Sequence, residues 1–172
     1  KSVGAIYSTN VDVQKCANVD AFACIEFALP IVNLILTKSI SIQACPSLVL
    51  LGKEDVDDDE NLQNLKSLSK DQLLMKWINY HAKINGIEQR AGNYGEDLKD
   101  GMLLLNLLRC TGDKIVEEGD TVIDSIVTTI RRRNCGKWLK PRYIENGKHR
   151  LLQLLCAVLF TADHGLKSNE KT

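Results

Sequence analysis

The strongest pattern in the chain is the run SKDQLLMKWINYHAKI, Ser69 to Ile84, in which Leu73, Leu74, Trp77, Ile78, His81 and Ile84 fall on one stripe at helical spacing. Ser69 followed by Gln72 makes an S-x-x-Q capping box, so the spacing predicts a helix from Ser69 to Ile84. Lys76, Asn79 and Lys83 fall off the stripe. The crowded WINYH segment invites two readings, a small chemical site or one face of a buried helix. The period favours the second: Trp77 and Ile78 lie one turn beyond Leu73 and Leu74, which makes the indole a core anchor. His81 then packs at the edge of the stripe, and no second His or acid stands at helical spacing to share a proton or a metal with it.

The same period recurs downstream. Asn93 to Gly95 reads as a turn, and Asp100-Gly101 opens a short, nearly all-apolar helix from Met102 to Leu108 that must be buried on most sides. A further helix over Thr121 to Arg133 carries Val122, Ile123, Ile126, Val127 and Ile130. It ends in three arginines, which suit the negative end of its dipole. Pro141 begins a short helix, Pro-Arg-Tyr-Ile-Glu, stopped by Gly147. A last helix, Lys148 to Thr161, buries Leu151, Leu152, Leu154, Leu155, Val158 and Leu159. No strand-like alternation of useful length follows residue 60, so the C-terminal unit is all-helical, with about four main helices and one or two short ones around one core.

Ahead of these helices the acidic run KEDVDDDEN, Lys53 to Asn61, reads as an exposed linker with a domain boundary near residue 55. Asp55, Asp57 and Asp59 alternate as in a calcium loop, but the sixth and twelfth places hold Glu60 and Lys66 instead of Gly and Glu, so the pattern fails. The most apolar stretch, AFACIEFALPIVNLIL, is broken by Glu26 and Pro30 and is too short for a bilayer, which needs roughly 20 residues. The opening residues do not form a secretory signal, and the chain lacks an initiating Met, as an excerpt of a longer protein would.

Composition narrows the chemistry further. With 172 residues, 44% apolar and 26% charged, and a formal net charge of zero, the chain matches an ordinary soluble domain, or one domain with part of another. Six scattered cysteines offer no C-x-x-C pair, so neither a zinc site nor a disulfide framework is indicated; a reducing cytosol is the expected setting. There is no phosphate-binding Gly loop, no G-x-S-x-G and no H-E-x-x-H, and the three histidines share no motif. The segment RRRNCGKWLKPRY mixes cations with aromatics as nucleic-acid surfaces do. Overall neutrality, with Trp138 and Leu139 as core plugs, favours a solvated basic face. The expected protein is therefore non-catalytic, with no cofactor, no metal ligands, and no nucleic-acid or membrane partner.

Three segments in this order, LSKDQLLMKWINYHAKI, NYGEDLKDG and CGKWLKPRYIENGKHRLLQLLCAVLFTADHGL, resemble a calponin-homology domain, most closely the second such domain of the fimbrin (plastin) family. The closing run carries the resemblance best: Cys135, Trp138, Leu139, Pro141, Ile144, Gly147, Leu151, Ala157, Leu159 and Phe160 fall in the family's order. Upstream, TNVDV, IEFALPIVNLIL and ISIQACPSLVLL look like the second half of the family's first calponin-homology domain and its connection to the second. The chain departs from the pattern in a short connection between Arg109 and Thr121, in Lys148-His149 after the closing Gly, in Asp163-His164-Gly165 near the end, and in ANVD at residues 17 to 20.

The resemblance implies an all-α calponin-homology fold, with four main helices plus short ones per domain, in tandem with an incomplete first domain. Residues 1–44 would be the C-terminal half of that first domain, 45–66 the acidic linker, 67–166 the second domain and 167–172 a tail. It implies binding and cross-linking of actin filaments in the cytoplasmic cytoskeleton. The contacts would come from a helix at about Glu26 to Lys38 and another at about Asp71 to Ile84, with Lys38, Lys76 and Lys83 as the outward cations and Trp77, Leu74, Trp138, Leu159 and Phe160 as core anchors. The alternative is a divergent structural component of a microtubule-based or ciliary (axonemal) assembly, with microtubules or other cytoskeletal proteins as partners.

Overall fold

The computed structural model describes residues 38–52, 58–116, 120–133 and 138–166, with residues 58–62 described by their backbone alone. The expected helix at Glu26 to Lys38, apart from Lys38 itself, lies outside the described residues, as do the TNVDV segment, Cys16, Cys24, Cys135, Asp55 and Asp57.

Among the described residues the chain is helical, with no strand. A 3-10 segment, Pro46–Gly52, precedes α1 (Asp58–Ser67), α2 (Lys70–Ile84), α3 (Met102–Cys110), α4 (Val122–Arg132), α5 (Pro141–Glu145) and α6 (His149–Ala162). α2 begins where the capping box places it: Ser69 Oγ accepts from the Gln72 amide at 3.2 Å, and the Ser69 amide donates to Gln72 Oε1 at 2.8 Å. α4 starts on Thr121, whose hydroxyl accepts from the Asp124 amide at 3.1 Å. α5 takes Pro141 in its first turn, where the missing N–H costs nothing.

α2 packs on α3 and α6, α3 on α4 and α6, and α5 bridges α4 to α6. α6 is apolar almost all round: Leu151, Leu152, Leu154, Leu155, Cys156, Ala157, Leu159 and Phe160 are all buried. A helix of that kind is stable only inside others, and α6 is the central element here. Trp77 stands against it, its ring edge-on to Phe160 at 5.3 Å between centroids. Trp77, Leu74, Leu159 and Phe160 are all buried. Trp138 is half-buried and joins the main core to a smaller cluster of Tyr143, Leu151 and Leu154.

The loop between α2 and α3 is locked by local chemistry. Asp97 Oδ2 accepts from the amides of Gly92 (2.7 Å) and Asn93 (2.9 Å), while Asn93 Oδ1 accepts from those of Gly95 (2.9 Å) and Glu96 (2.7 Å). The folded loop then lies against Gly147 so closely that a Cβ on Gly95 would sit 2.9 Å from the Gly147 carbonyl oxygen.

The structure departs from the sequence reading in three places. First, residues 45–66 are more than an exposed acidic linker. Leu48, Leu51 and Leu65 are buried in the main core, and Asp58–Asn61 form the first turn of α1. Acidic side chains suit the positive end of a helix, and Leu65 supplies the anchor further along it. Ile40, placed by sequence in the preceding half-domain, joins the same core. Second, Ile84, Met102 and Val122 are exposed at 54%, 46% and 37%. Each stands at the end of its helix, where periodicity puts a residue on the stripe but no neighbouring element covers it.

Third, the arginines after α4 do more than complement its dipole. Arg131 donates to the Leu139 carbonyl at 3.1 Å. Arg133 pairs with Asp113 at 2.5 Å and donates to the Thr111 carbonyl at 3.1 Å. They fasten the segments on either side of α4.

Candidate functional site

α2 divides into two faces. Leu73, Leu74, Trp77, Ile78, His81 and Ala82 turn inward and are buried, which leaves Gln72, Met75, Lys76, Asn79, Tyr80 and Lys83 on the opposite side. WINYH is therefore shared: Trp77, Ile78 and His81 belong to the interior, Asn79 and Tyr80 to the outer face.

The inward pair meets at one carbonyl. Trp77 Nε1 donates to His164 O at 2.8 Å, and His81 Nε2 lies 2.9 Å from the same oxygen. A carbonyl only accepts, so the imidazole carries its proton on Nε2 and leaves Nδ1 buried with no partner. Burial pulls the His81 pKa below its ordinary value, and the carbonyl contact opposes this only in part. The turn that presents this oxygen depends on Gly165, which has φ +62°. A Cβ there would stand 2.6 Å from Cys110 O. His81 is thus an uncharged strut for the Asp163–Leu166 segment. The sequence reading placed it at the edge of the stripe, and the partner that orients it comes from residues more than eighty positions away.

At the start of α2, Asp71 accepts from Tyr94 OH at 3.0 Å and from Gln153 Nε2 at 2.6 Å, tying the helix to the loop and to α6. Burial, and then the Asp71 carboxylate, push the Tyr94 pKa up, so the phenol keeps its proton. Cys45, Cys110 and Cys156 are held above the usual thiol value chiefly by burial. Among the described residues no three His, Cys, Asp or Glu side chains cluster to hold a metal, and no helix is long and apolar enough to cross a membrane.

The outward face is where a partner could be met. Asn79 sits there but is committed: its Nδ2 donates to Ala91 O at 2.9 Å and its Oδ1 accepts from the Ala91 amide at 2.7 Å. This two-way clamp fixes residues 87–91 alongside the helix and brings Arg90 next to Lys76 and Lys83. Between α2 and Pro46–Gly52 lies a groove of about 420 Å³, lined by apolar Leu51, Met75 and Tyr80 and by the three cations. Lys76 is half-buried and Lys83 exposed. Lys38 is also exposed, two residues before Ile40, but it does not line this groove. The structure so brings Lys76 and Lys83 together and leaves Lys38 elsewhere. Sequence reasoning missed Arg90, because no helical period reaches it across the Asn85–Gln89 connection. Such a face can bind an anionic surface; it carries no group poised for covalent chemistry.

No family model matches the chain. Among known proteins it is similar to fimbrin-3 of Arabidopsis thaliana, 27% identical over 176 residues, covering 98% of this chain and 24% of that protein. It is 28% identical to fimbrin of Saccharomyces cerevisiae over 139 residues, covering 77% of this chain and 21% of that one. Zebrafish plastin-2 is 34% identical over 77 residues, 45% of this chain and 12% of its own. The chain thus spans about a quarter, or less, of the length of the curated relatives it matches. In structure it is similar to the actin-crosslinking core of Schizosaccharomyces pombe fimbrin, with a TM-score of 0.58 at 19% identity, over 97% of this chain and 33% of that core. That likeness shows the fold. The fold is the all-α calponin-homology fold, and the sequence likeness to fimbrins extends along 77–98% of the chain.

Proposed function

We propose that the chain is an actin-filament-binding part of a fimbrin-like cross-linking protein, acting by contact and without catalysis, in the cytoplasmic cytoskeleton. The observation that carries this reading is similarity: the proteins the chain resembles are fimbrins and plastins, and the solved neighbour is a fimbrin core described as actin-crosslinking. The outward face of α2 supports it, since Lys76 and Lys83 lie on one surface while the opposite face is spent on the core. Lys38 is a further candidate contact. In this reading residues 1–44 are the C-terminal half of a first calponin-homology domain, 45–66 connect it to a second at 67–166, and 167–172 are a tail. The comparisons give no support to a microtubule-based or ciliary setting.

The test is co-sedimentation of the protein with actin filaments and, in parallel, with microtubules across a salt series. Binding to actin that weakens as salt rises is expected, because exposed cations are screened. Failure to pellet with actin at low salt, or pelleting with microtubules alone, would overturn the reading.

A further inference from the structure

We infer that the corner where α3 and α4 begin is a docking surface for a basic, leucine-bearing segment of a second partner protein, with Met102 and Val122 as its apolar contacts. The corner shares no residue with the α2 groove, and its role stands apart from the filament-binding reading.

Three observations carry it. The first is exposure. Among the described residues the large apolar side chains that stand exposed are Ile84, Met102 and Val122. Ile84 ends α2, between Lys83 and Asn85. Met102 and Val122, at 46% and 37%, are the first residues of α3 and α4, and these two starts meet: a Cβ on Gly101 would stand 3.4 Å from Val122 Cγ1 and 3.4 Å from Ile123 Cγ1. Half-buried Ile123, and half-buried Leu105 one turn beyond Met102, extend the apolar surface. A single exposed apolar side chain is ordinary, whereas a group of them rimmed by polar residues marks a contact site.

The second is charge. Asp100 precedes Gly101, and Asp120 and Asp124 stand on either side of Val122 along the chain. Asp100 accepts from Gln89 Nε2 and from the Met102 amide, both at 3.0 Å, and Asp124 accepts from the Thr121 hydroxyl at 2.8 Å. These donors are uncharged, so they leave both carboxylates without a counter-charge. Lys99, the nearest cation along the chain, is paired with Glu96. The rim is negative, and the partner that complements it is basic.

The third is preorganisation. The bond from the Met102 amide to Asp100, and that from the Asp124 amide to the Thr121 hydroxyl at 3.1 Å, fix the first turns of both helices. Met102 and Val122 are therefore presented from ordered backbone, and the cost of ordering on binding falls mainly on the partner. Met102 adds an adaptable, polarisable contact.

The experiment uses the 172-residue chain and a synthetic lysine-rich amphipathic peptide with leucines one helical turn apart, alongside versions with serine for leucine and with glutamate for lysine. The double variant Met102→Gln, Val122→Gln should weaken binding of the leucine peptide by about tenfold or more. Asp120→Lys should weaken it by less, and Glu145→Lys, a reversal on α5, should change nothing. The serine and glutamate versions should bind more weakly than the leucine peptide, whose binding should shift the methyl NMR signals of Met102 and Val122. Thermal unfolding of each variant checks that it is folded, and the folded double variant should pellet with actin as the parent does.

If the leucine peptide fails to bind, binds the folded double variant as tightly as the parent, or leaves those methyl signals unmoved, the docking surface is overturned whatever the actin result. If the peptide binds as expected but the parent does not pellet with actin, the filament reading falls and the corner stands. If the folded double variant loses actin pelleting that the parent shows, the corner belongs to the filament contact, and the second partner is overturned. If the parent alone forms dimers in sedimentation velocity and the double variant does not, the occupant is a second copy of this chain, and the separate partner is likewise overturned.

Discussion

The two faces of α2 make opposite use of the same fifteen residues. Inward, Trp77 and His81 converge on the His164 carbonyl and are shut off from water; outward, Lys76, Tyr80 and Lys83 border an open groove. Trp77 Nε1 and His81 Nε2 on the inner face are held by a carbonyl distant in sequence, and a change there unfastens the C-terminal segment from the helix. On the outer face Asn79 is committed likewise, through Ala91. Interior polar groups thus serve the fold, while the outer face keeps its cations beside an open groove.

The sharpest way to break this contrast is Trp77→Ala, which removes a buried indole together with its hydrogen bond and should cost about 3–5 kcal/mol in denaturant unfolding. A variant as stable as the parent would put Trp77 on the wrong face. Next is Asn79→Ala. It orphans the amide of Ala91, a residue only 4% exposed, and should cost about 1–3 kcal/mol, with faster hydrogen exchange at Ala91. A neutral result there would mean that the clamp does not hold the loop carrying Arg90.

A subtler test of the inner face is pH. His81 has a folded-state pKa below its unfolded value of 6.5, so the unfolded chain takes up the proton first. Its contribution is complete above pH 6.5 and is lost as pH falls from there through the depressed folded value. The melting temperature of the parent should therefore drop more than that of His81→Gln between pH 7.5 and 5, and parallel curves would reject a buried neutral imidazole. Smallest in stability is Lys76→Ala, expected within about 0.5 kcal/mol of the parent, yet weakening actin pelleting at low salt. If the stability moves and the binding does not, the roles of the two faces are reversed.

Much of the helical plan was legible because it is local. The box of Ser69 and Gln72, Thr121 ahead of α4, Pro141 at α5 and the heavy apolar content of α6 each act within a turn or two of themselves. Burial at helix ends was not legible: Ile84 obeys the period of α2 yet is 54% exposed, since coverage depends on where the neighbouring helices stop. Charge misled too. The acidic run reads as linker, although its second half begins α1 and the flanking Leu51 and Leu65 complete the core.

The sequence by itself determined the helical segments from Ser69 onward, which stripe of α2 is apolar, and the family-like pattern in the closing run, because those signals are carried by neighbours in the chain. Only the tertiary structure decided what the polar residues do. The His164 carbonyl, brought to Trp77 and His81 by a turn at Gly165, makes the imidazole a strut; the Asn79–Ala91 pair, by placing Arg90, turns two lysines into one side of a groove. Hydrogen bonds of this kind join groups from separate segments, and their partners are set by how the helices pack rather than by any spacing along the chain.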